Sequence, residues 1–160
     1  MKVTFNTNLE RRARKASEKA AKAVFAELNG RFQDAMGAKV WQWPRVTMRG
    51  RTYRRDGSRS KGKPVGSPRN IVDSENLKGS NKGPKISGLN VEYRWSTRYA
   101  RAVHNGALIY PWGNKKAKKV LLPARPWTSA VLGTVKVSGI EPYDMGTRFS
   151  EVWLVYFKKS

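Results

Sequence analysis

The chain has 160 residues, no cysteine and one histidine, His104, so it holds no disulfide framework, no thiol nucleophile and no ligand set for a structural zinc. Thirty-three Lys+Arg against 11 Asp+Glu give a formal charge of +22, with a mean hydropathy of -0.67; one domain is expected, drawn to polyanions or acidic surfaces. The longest apolar run, Val152 to Phe157, is far short of the ~20 residues of a membrane span. The first residues lack the apolar core of a signal peptide, so export by that route is not expected, and the scattered acids offer no calcium or magnesium cage.

In chain order, residues 8–36 come first. Leu9, Ala13, Ala16, Ala20, Val24, Leu28, Phe32 and Met36 recur at steps of three or four, which predicts one long amphipathic helix. Asn8 suits its N-cap, Gly30 is a point where it could bend or divide, and Gly37 supplies the stop. The other face carries Arg11, Arg12, Lys15, Lys19 and Lys22. It is either a solvated basic face or one turned to another subunit or to nucleic acid.

Val40-Trp41-Gln42-Trp43-Pro44 alternates and reads as a short strand docking on the helix end. Residues 45–69 then carry nine Lys/Arg and one acid, Asp56, with four glycines and two prolines. So little apolar surface cannot drive independent folding, and the stretch reads as a long basic loop or arm. Asp73 to Ser80 looks like a capped helical turn ended by Gly79. Lys85–Ser87 and Asn90–Ser96 read as a hairpin joined at Gly88-Leu89, with Val91, Tyr93 and Trp95 on one face of the second strand. Thr97 can cap a short helix from Arg98 to His104, with Gly106 after its end. Residues 107–112 are apolar and extended, 113–119 form a basic turn, and Val120–Leu122 is a short strand. Pro126 opens one or two helical turns from Trp127 to Leu132. Beyond Asp144, Phe149, Val152, Trp153 and Tyr156 fit helical spacing, the favoured assignment, although the apolar run from Val152 also suits a strand.

No catalytic set stands out. His104 is a general-base candidate or a packing residue; no Gly-x-Ser-x-Gly elbow surrounds a serine, and no glycine motif leads into Gly-Lys-Ser/Thr. The chemistry on offer is electrostatic. Arg49, Arg51, Arg54, Arg55, Arg59, Lys61 and Lys63 in the arm, with Lys115, Lys116, Lys118 and Lys119 as a second cluster, are candidates for phosphate contact or for docking on acidic neighbours. Tyr53 is available to stack on a base.

Three spaced segments change the balance. Asp73-Ser74-Glu75-Asn76-Leu77-Lys78-Gly79-Ser80, Tyr99-Ala100-Arg101-Ala102-Val103-His104-Asn105-Gly106 and Pro123-Ala124-Arg125-Pro126-Trp127 resemble, in that order, segments of the tail-completion or neck proteins of long-tailed bacteriophages. The first is similar to the family's Asp-Thr-Gly-x-Leu-x-x-Ser, the second to its Tyr-Ala-x-x-x-His/Glu-x-Gly, the third to its Pro-Ala-Arg-Pro-aromatic. The resemblance covers roughly residues 8–135 and departs from the family at Glu75, where glycine is usual. Asp73, Leu77, Ser80, Tyr99, Ala100, His104, Gly106, Pro123, Ala124, Arg125, Pro126 and Trp127 are its fold-motif positions. Arg125, held extended before proline, is expected to lie against carbonyls or a carboxylate such as Asp73.

The expectation is a single α+β domain over 1–160. A long N-terminal helix packs on a small, mostly antiparallel sheet with short flanking helices, and 45–69 projects as the basic loop. The resemblance implies a non-enzymatic virion protein, made in the host cytoplasm and placed at the neck or tail top. There it would form a ring of six subunits with itself, meet other neck and tail proteins, and surround packaged DNA without reading sequence. Tail completion, tail termination and head–tail joining remain alternatives within that role, and no cofactor or membrane is implied. The competing class is a sequence-independent nucleic-acid-binding protein.

Overall fold

The structure is a computed structural model and describes residues 7–41, 76–110, 115–116 and 119–159. The arm over 45–69, Trp43-Pro44, Asp73, residues 111–114 and Lys118 lie outside the described residues.

Helix α1 runs from Thr7 to Met36 without a break. Gly30 sits inside it with nothing within 4 Å of where a Cβ would stand, and it does not divide the helix. The stripe is buried at Ala16, Ala20, Val24, Leu28, Phe32 and Met36. Leu9 departs from expectation and is 53% exposed. The last helix of the fold ends beside Arg12, so among the described residues nothing reaches the first turn to cover it. Asn8 is not the cap: the helix starts one residue earlier, and the Asn8 Oδ1 accepts from Arg11 at 3.0 Å.

The expected strand at Val40–Trp41 is a correction. Lys39–Trp41 forms a 3-10 turn. Gly37 ends α1 with its N–H on Gln33 and Asp34 carbonyls, and the Trp41 indole folds back to donate to the Ala35 carbonyl at 2.6 Å. A tryptophan that can donate to a helix-end carbonyl while burying its ring prefers that to an unpaired strand.

A short helix α2 (Asn76–Gly79) leads into β1 (Asn81–Ser87), which pairs antiparallel with β2 (Asn90–Trp95) across the Gly88-Leu89 turn. The register shifts between Asn81 and Pro84. There Gly83 takes φ +74° and its N–H bonds the Asn81 Oδ1 at 2.6 Å, so Pro84 sits where a ladder irregularity tolerates a missing N–H. Helix α3 (Ala100–Asn105) follows, then β3 (Ala107–Ile109), β4 (Val120–Leu122), α4 (Trp127–Val131) and α5 (Met145–Lys158). Among the described residues β3 and β4 pair with each other only, so the antiparallel strands form two two-stranded ladders there rather than one sheet. The α+β class stands: a long N-terminal helix packs on a small antiparallel ladder, with short helices around it.

The core sits where the C-terminal half of α1 meets β2 and α4. Leu28, Phe32, Ala35, Met36, Trp41, Leu77, Trp127 and Val131 form one buried cluster. Half-buried Tyr93 and Trp95 pack on it edge to face: Phe32 with Tyr93 at 5.0 Å, Phe32 with Trp95 at 6.0 Å, and Trp95 with Trp127 at 5.7 Å. This arrangement places the positive ring edge on the negative ring face. The Tyr93 hydroxyl donates to the Phe25 carbonyl at 2.8 Å, fixing β2 to α1.

The tail after Asp144 is helix. Asp144 caps α5, accepting from the Thr147 N–H at 3.0 Å, and α5 lies antiparallel along α1. Arg148 reaches Glu27, Trp153 reaches Ser17, and Phe157 lies beside Arg12. Phe149, Val152, Trp153 and Tyr156 are all half-buried against it, as helical spacing predicts. The alanine-rich first half of α1 permits this close approach.

Candidate functional site

The three segments that carry the resemblance are separate in sequence and meet in one place. From the first, Leu77 is 2% exposed in the core. Ser80 closes its turn by donating from Oγ to the Leu77 carbonyl at 2.8 Å. The Ser80 carbonyl in turn accepts from the Ser96 N–H and hydroxyl at 3.1 and 3.3 Å, tying α2 to the end of β2. Thr97 does not cap α3 with its side chain; its hydroxyl lies 3.4 Å from the Ser80 Oγ, and α3 starts later than expected, at Ala100.

The second segment supplies α3 and its stop. Tyr99 is 44% exposed at the N-cap, while Ala100 and Val103 pack on the core. Gly106 takes φ +77° and ψ 155°. A Cβ there would stand 3.0 Å from the Ala124 nitrogen and from the Leu122 carbonyl oxygen, so glycine lets the third segment cross directly behind it. In that segment the Arg125 N–H is shared between the Val103 and His104 carbonyls, both at 3.1 Å, satisfying the open end of α3. Arg125 is 5% exposed, and burial lowers its pKa. Pro123 and Pro126 are half-buried and Ala124 is exposed. Pro126 precedes α4 as its N-cap rather than standing inside it, and Trp127 is 1% exposed.

His104 joins this cluster. Its Nε2 lies 2.7 Å from the Thr128 hydroxyl, its Nδ1 2.6 Å from the Asn105 Oδ1, and its ring meets Trp127 edge-on at 4.7 Å. The Nε2 contact and the edge-on ring contact hold α3 to α4, while the Nδ1 contact stays within α3. Among the described residues no group of three His, Cys, Asp or Glu side chains could hold a metal, and no helix is long and apolar enough to cross a membrane.

Arg49, Arg51, Arg54, Arg55, Arg59, Lys61, Lys63 and Lys118 lie outside the described residues, as does Asp73. Lys115, Lys116 and Lys119 are exposed between β3 and β4, with the Lys119 ammonium 5.3 Å from the Tyr110 ring centre. This hairpin has a feature the sequence did not announce. Leu108 and Leu121 are direct cross-strand partners, and each is 67% exposed. Ile109 and Tyr110 beside them are also exposed. A two-stranded ladder is marginal alone, and among the described residues no further strand pairs with this one and its leucine pair is uncovered.

The basic face of α1 divides in two. Arg12 and Lys19 lie over the Phe157 and Tyr156 rings of α5 at 5.3 and 5.8 Å, and Trp153 donates to the Ser17 hydroxyl at 3.0 Å. The matching of α1 cations to α5 aromatics is visible in neither segment alone. Arg14 pairs with Glu18 at 3.4 Å. At the other end Arg148 bridges Glu27 and Glu151 at 2.9 and 3.0 Å, and those carboxylates raise its pKa. Arg11, Lys15 and Lys22 stay on the solvent side.

The chain matches no family model, no curated protein and no solved structure.

Proposed function

We propose that the chain is a structural subunit of the neck or tail top of a long-tailed phage. It would act as an oligomeric ring, of six copies by the resemblance, that completes the tail end for joining to the head. The observation that supports this role is the convergence of the three resembling segments. Ser80, Gly106 and Arg125 each make a contact that holds one segment to the next element, as positions of a fold motif should. The β3–β4 hairpin supplies a seam. Its Leu108–Leu121 pair, exposed among the described residues, calls for cover, and a second copy offers it in a form that repeats around a ring. Tail completion, tail termination and head–tail joining all fit such a subunit. The basic residues of the arm and hairpin would face DNA in the channel or acidic surfaces of neck and tail proteins.

A second reading, sequence-independent nucleic-acid binding without a ring, draws on the +22 charge and the exposed cations of α1. Negative-stain imaging of the purified full chain, alone and with duplex DNA, separates the two. Closed rings with a central opening support the neck assignment. Dispersed single subunits at every concentration, still binding DNA, overturn it in favour of the second.

A further inference from the structure

The outer flank of α1 segregates its charge. At 3.6 residues per turn, Arg11, Arg12, Lys15, Lys19 and Lys22 fall within a sector about 100° wide. The other positions of that sector up to residue 33 are Asn8, Ala26, Asn29, Gly30 and Gln33. None of the helix's acids, Glu10, Glu18, Glu27 or Asp34, falls inside it; Glu18 borders it and is held by Arg14. Arg12 donates to the Phe157 carbonyl at 3.4 Å, so the end of α5 brings the exposed Lys158 and Lys159 to the same flank. Lys15, Lys22, Lys158 and Lys159 have no ion pair among the described residues.

Such a row is costly to keep bare. Arg11–Lys15 and Lys15–Lys19 are i, i+4 pairs of like charge, and Arg12–Lys15 and Lys19–Lys22 are i, i+3 pairs; each repels. A polyanion laid along the flank relieves all of them together. We propose that this flank binds the sugar–phosphate backbone of duplex nucleic acid without reading sequence. Arg11, Lys15 and Lys22 would form the row, and Lys158 and Lys159 its end.

The chemistry of the intervening positions selects this occupant. A helix lying in a lipid surface buries an apolar face beside its cations, whereas the apolar stripe of α1 is already buried in the core and this sector holds no large apolar residue. The uncharged positions of the sector are small or amide residues, so nothing in it repels a phosphate. From Arg11 to Lys22 the row rises about 16 Å, long enough to meet several phosphates of a continuous backbone rather than one carboxylate. The assignment goes beyond the ring and does not depend on it.

The test uses the full chain and a labelled mixed-sequence 20-base-pair duplex, with anisotropy read over a salt series. The variant is Arg11→Gln, Lys15→Gln and Lys22→Gln together. Glutamine keeps helix propensity and these side chains touch no core residue, and the circular dichroism melt confirms folding. Each lost phosphate contact removes about 0.9 from the slope of log K against log salt. The variant should therefore bind with a slope shallower by about 2–3 and with Kd raised at least tenfold at 100 mM salt, equally for a second, unrelated sequence. A control of equal charge loss, Lys78→Gln, Lys82→Gln and Lys85→Gln on α2 and β1, should change the slope by less than about 1. An unchanged slope in the α1 variant overturns the assignment, as do equal losses in both variants, which would mean diffuse net charge. Unchanged duplex binding with lost binding to polyglutamate assigns the flank to an acidic protein and also overturns it. Ring formation is scored separately by light scattering, so either proposal can fail without the other.

Discussion

Gly106→Ala probes the joint between the second and third segments. Two costs add there. The backbone at φ +77°, ψ 155° is open essentially to glycine alone, and forcing alanine into it costs about 1–3 kcal/mol. The new Cβ would also stand 3.0 Å from the Ala124 nitrogen and the Leu122 oxygen and 3.3 Å from the Ala124 Cα. These are backbone atoms that cannot swing aside, and overpacking of this kind costs about 1–3 kcal/mol more. A total near 4 kcal/mol, at roughly 2–4 °C per kcal/mol for a chain of this size, lowers Tm by about 8–16 °C. Gly83→Ala is the reference for a positive-φ glycine without crowding, because Gly83 has φ +74° but nothing within 4 Å. Thermal melts followed by far-ultraviolet circular dichroism, with tryptophan fluorescence reporting the Trp95–Trp127 cluster, give both numbers. A Gly106→Ala melt within about 2 °C of the parent, or no lower than that of Gly83→Ala, refutes the close crossing of the two segments.

Three further outcomes follow from the same contacts. Arg125→Ala removes a buried charged side chain and should lower stability by about 3 kcal/mol; an unchanged Tm would show that the side chain holds nothing together. Burial, with a smaller contribution from Tyr143, pushes the Tyr93 phenol up to about 12, so the fold favours its neutral form. That stability is whole below the ordinary tyrosine value near 10 and is lost as pH climbs from there through the raised value. Tyr93→Phe should lose about 1 kcal/mol at neutral pH with its bond to the Phe25 carbonyl, yet fall less steeply in urea unfolding as pH rises from about 10 towards 12; parallel curves would contradict the burial. The Thr147 N–H, and next its hydroxyl, hold the Asp144 carboxylate below its ordinary value. Its support of α5 is therefore present above that ordinary value and lost as pH falls through the lowered one. Asp144→Ala should melt α5 earlier at pH 7 and match the parent in strong acid, and a gap that persists in acid would refute the cap.

The elements with a clear period were legible in the sequence. The three-and-four spacing of α1 and α5 and the alternation of Val91, Tyr93 and Trp95 in β2 follow from local geometry alone. What escaped depends on partners. Leu9 belongs to the apolar stripe, but its burial would need α5 to reach past Arg12. Trp41 alternates like a strand residue, but the Ala35 carbonyl at the helix end, which also accepts from the Ala38 N–H, claims its indole. Thr97 has the chemistry of a cap, but the Ser80 hydroxyl lies within its reach. The three motif segments were visible as strings. Their meeting at Gly106 and Arg125 was not, because a backbone crossing leaves no mark except the glycine that permits it. The exposed Leu108–Leu121 pair looked like two ordinary apolar stretches, since cross-strand register cannot be read through a long intervening turn.

Native mass spectrometry of the parent chain and of a Leu108→Glu, Leu121→Glu variant tests the ring most directly. The parent should appear as one closed oligomer of six copies. The variant should stay folded and fall apart to single subunits, because a glutamate pair cannot be buried in the seam. A parent that remains a single subunit at every concentration contradicts the ring, and a variant that keeps the full oligomer contradicts the hairpin as the surface that closes it.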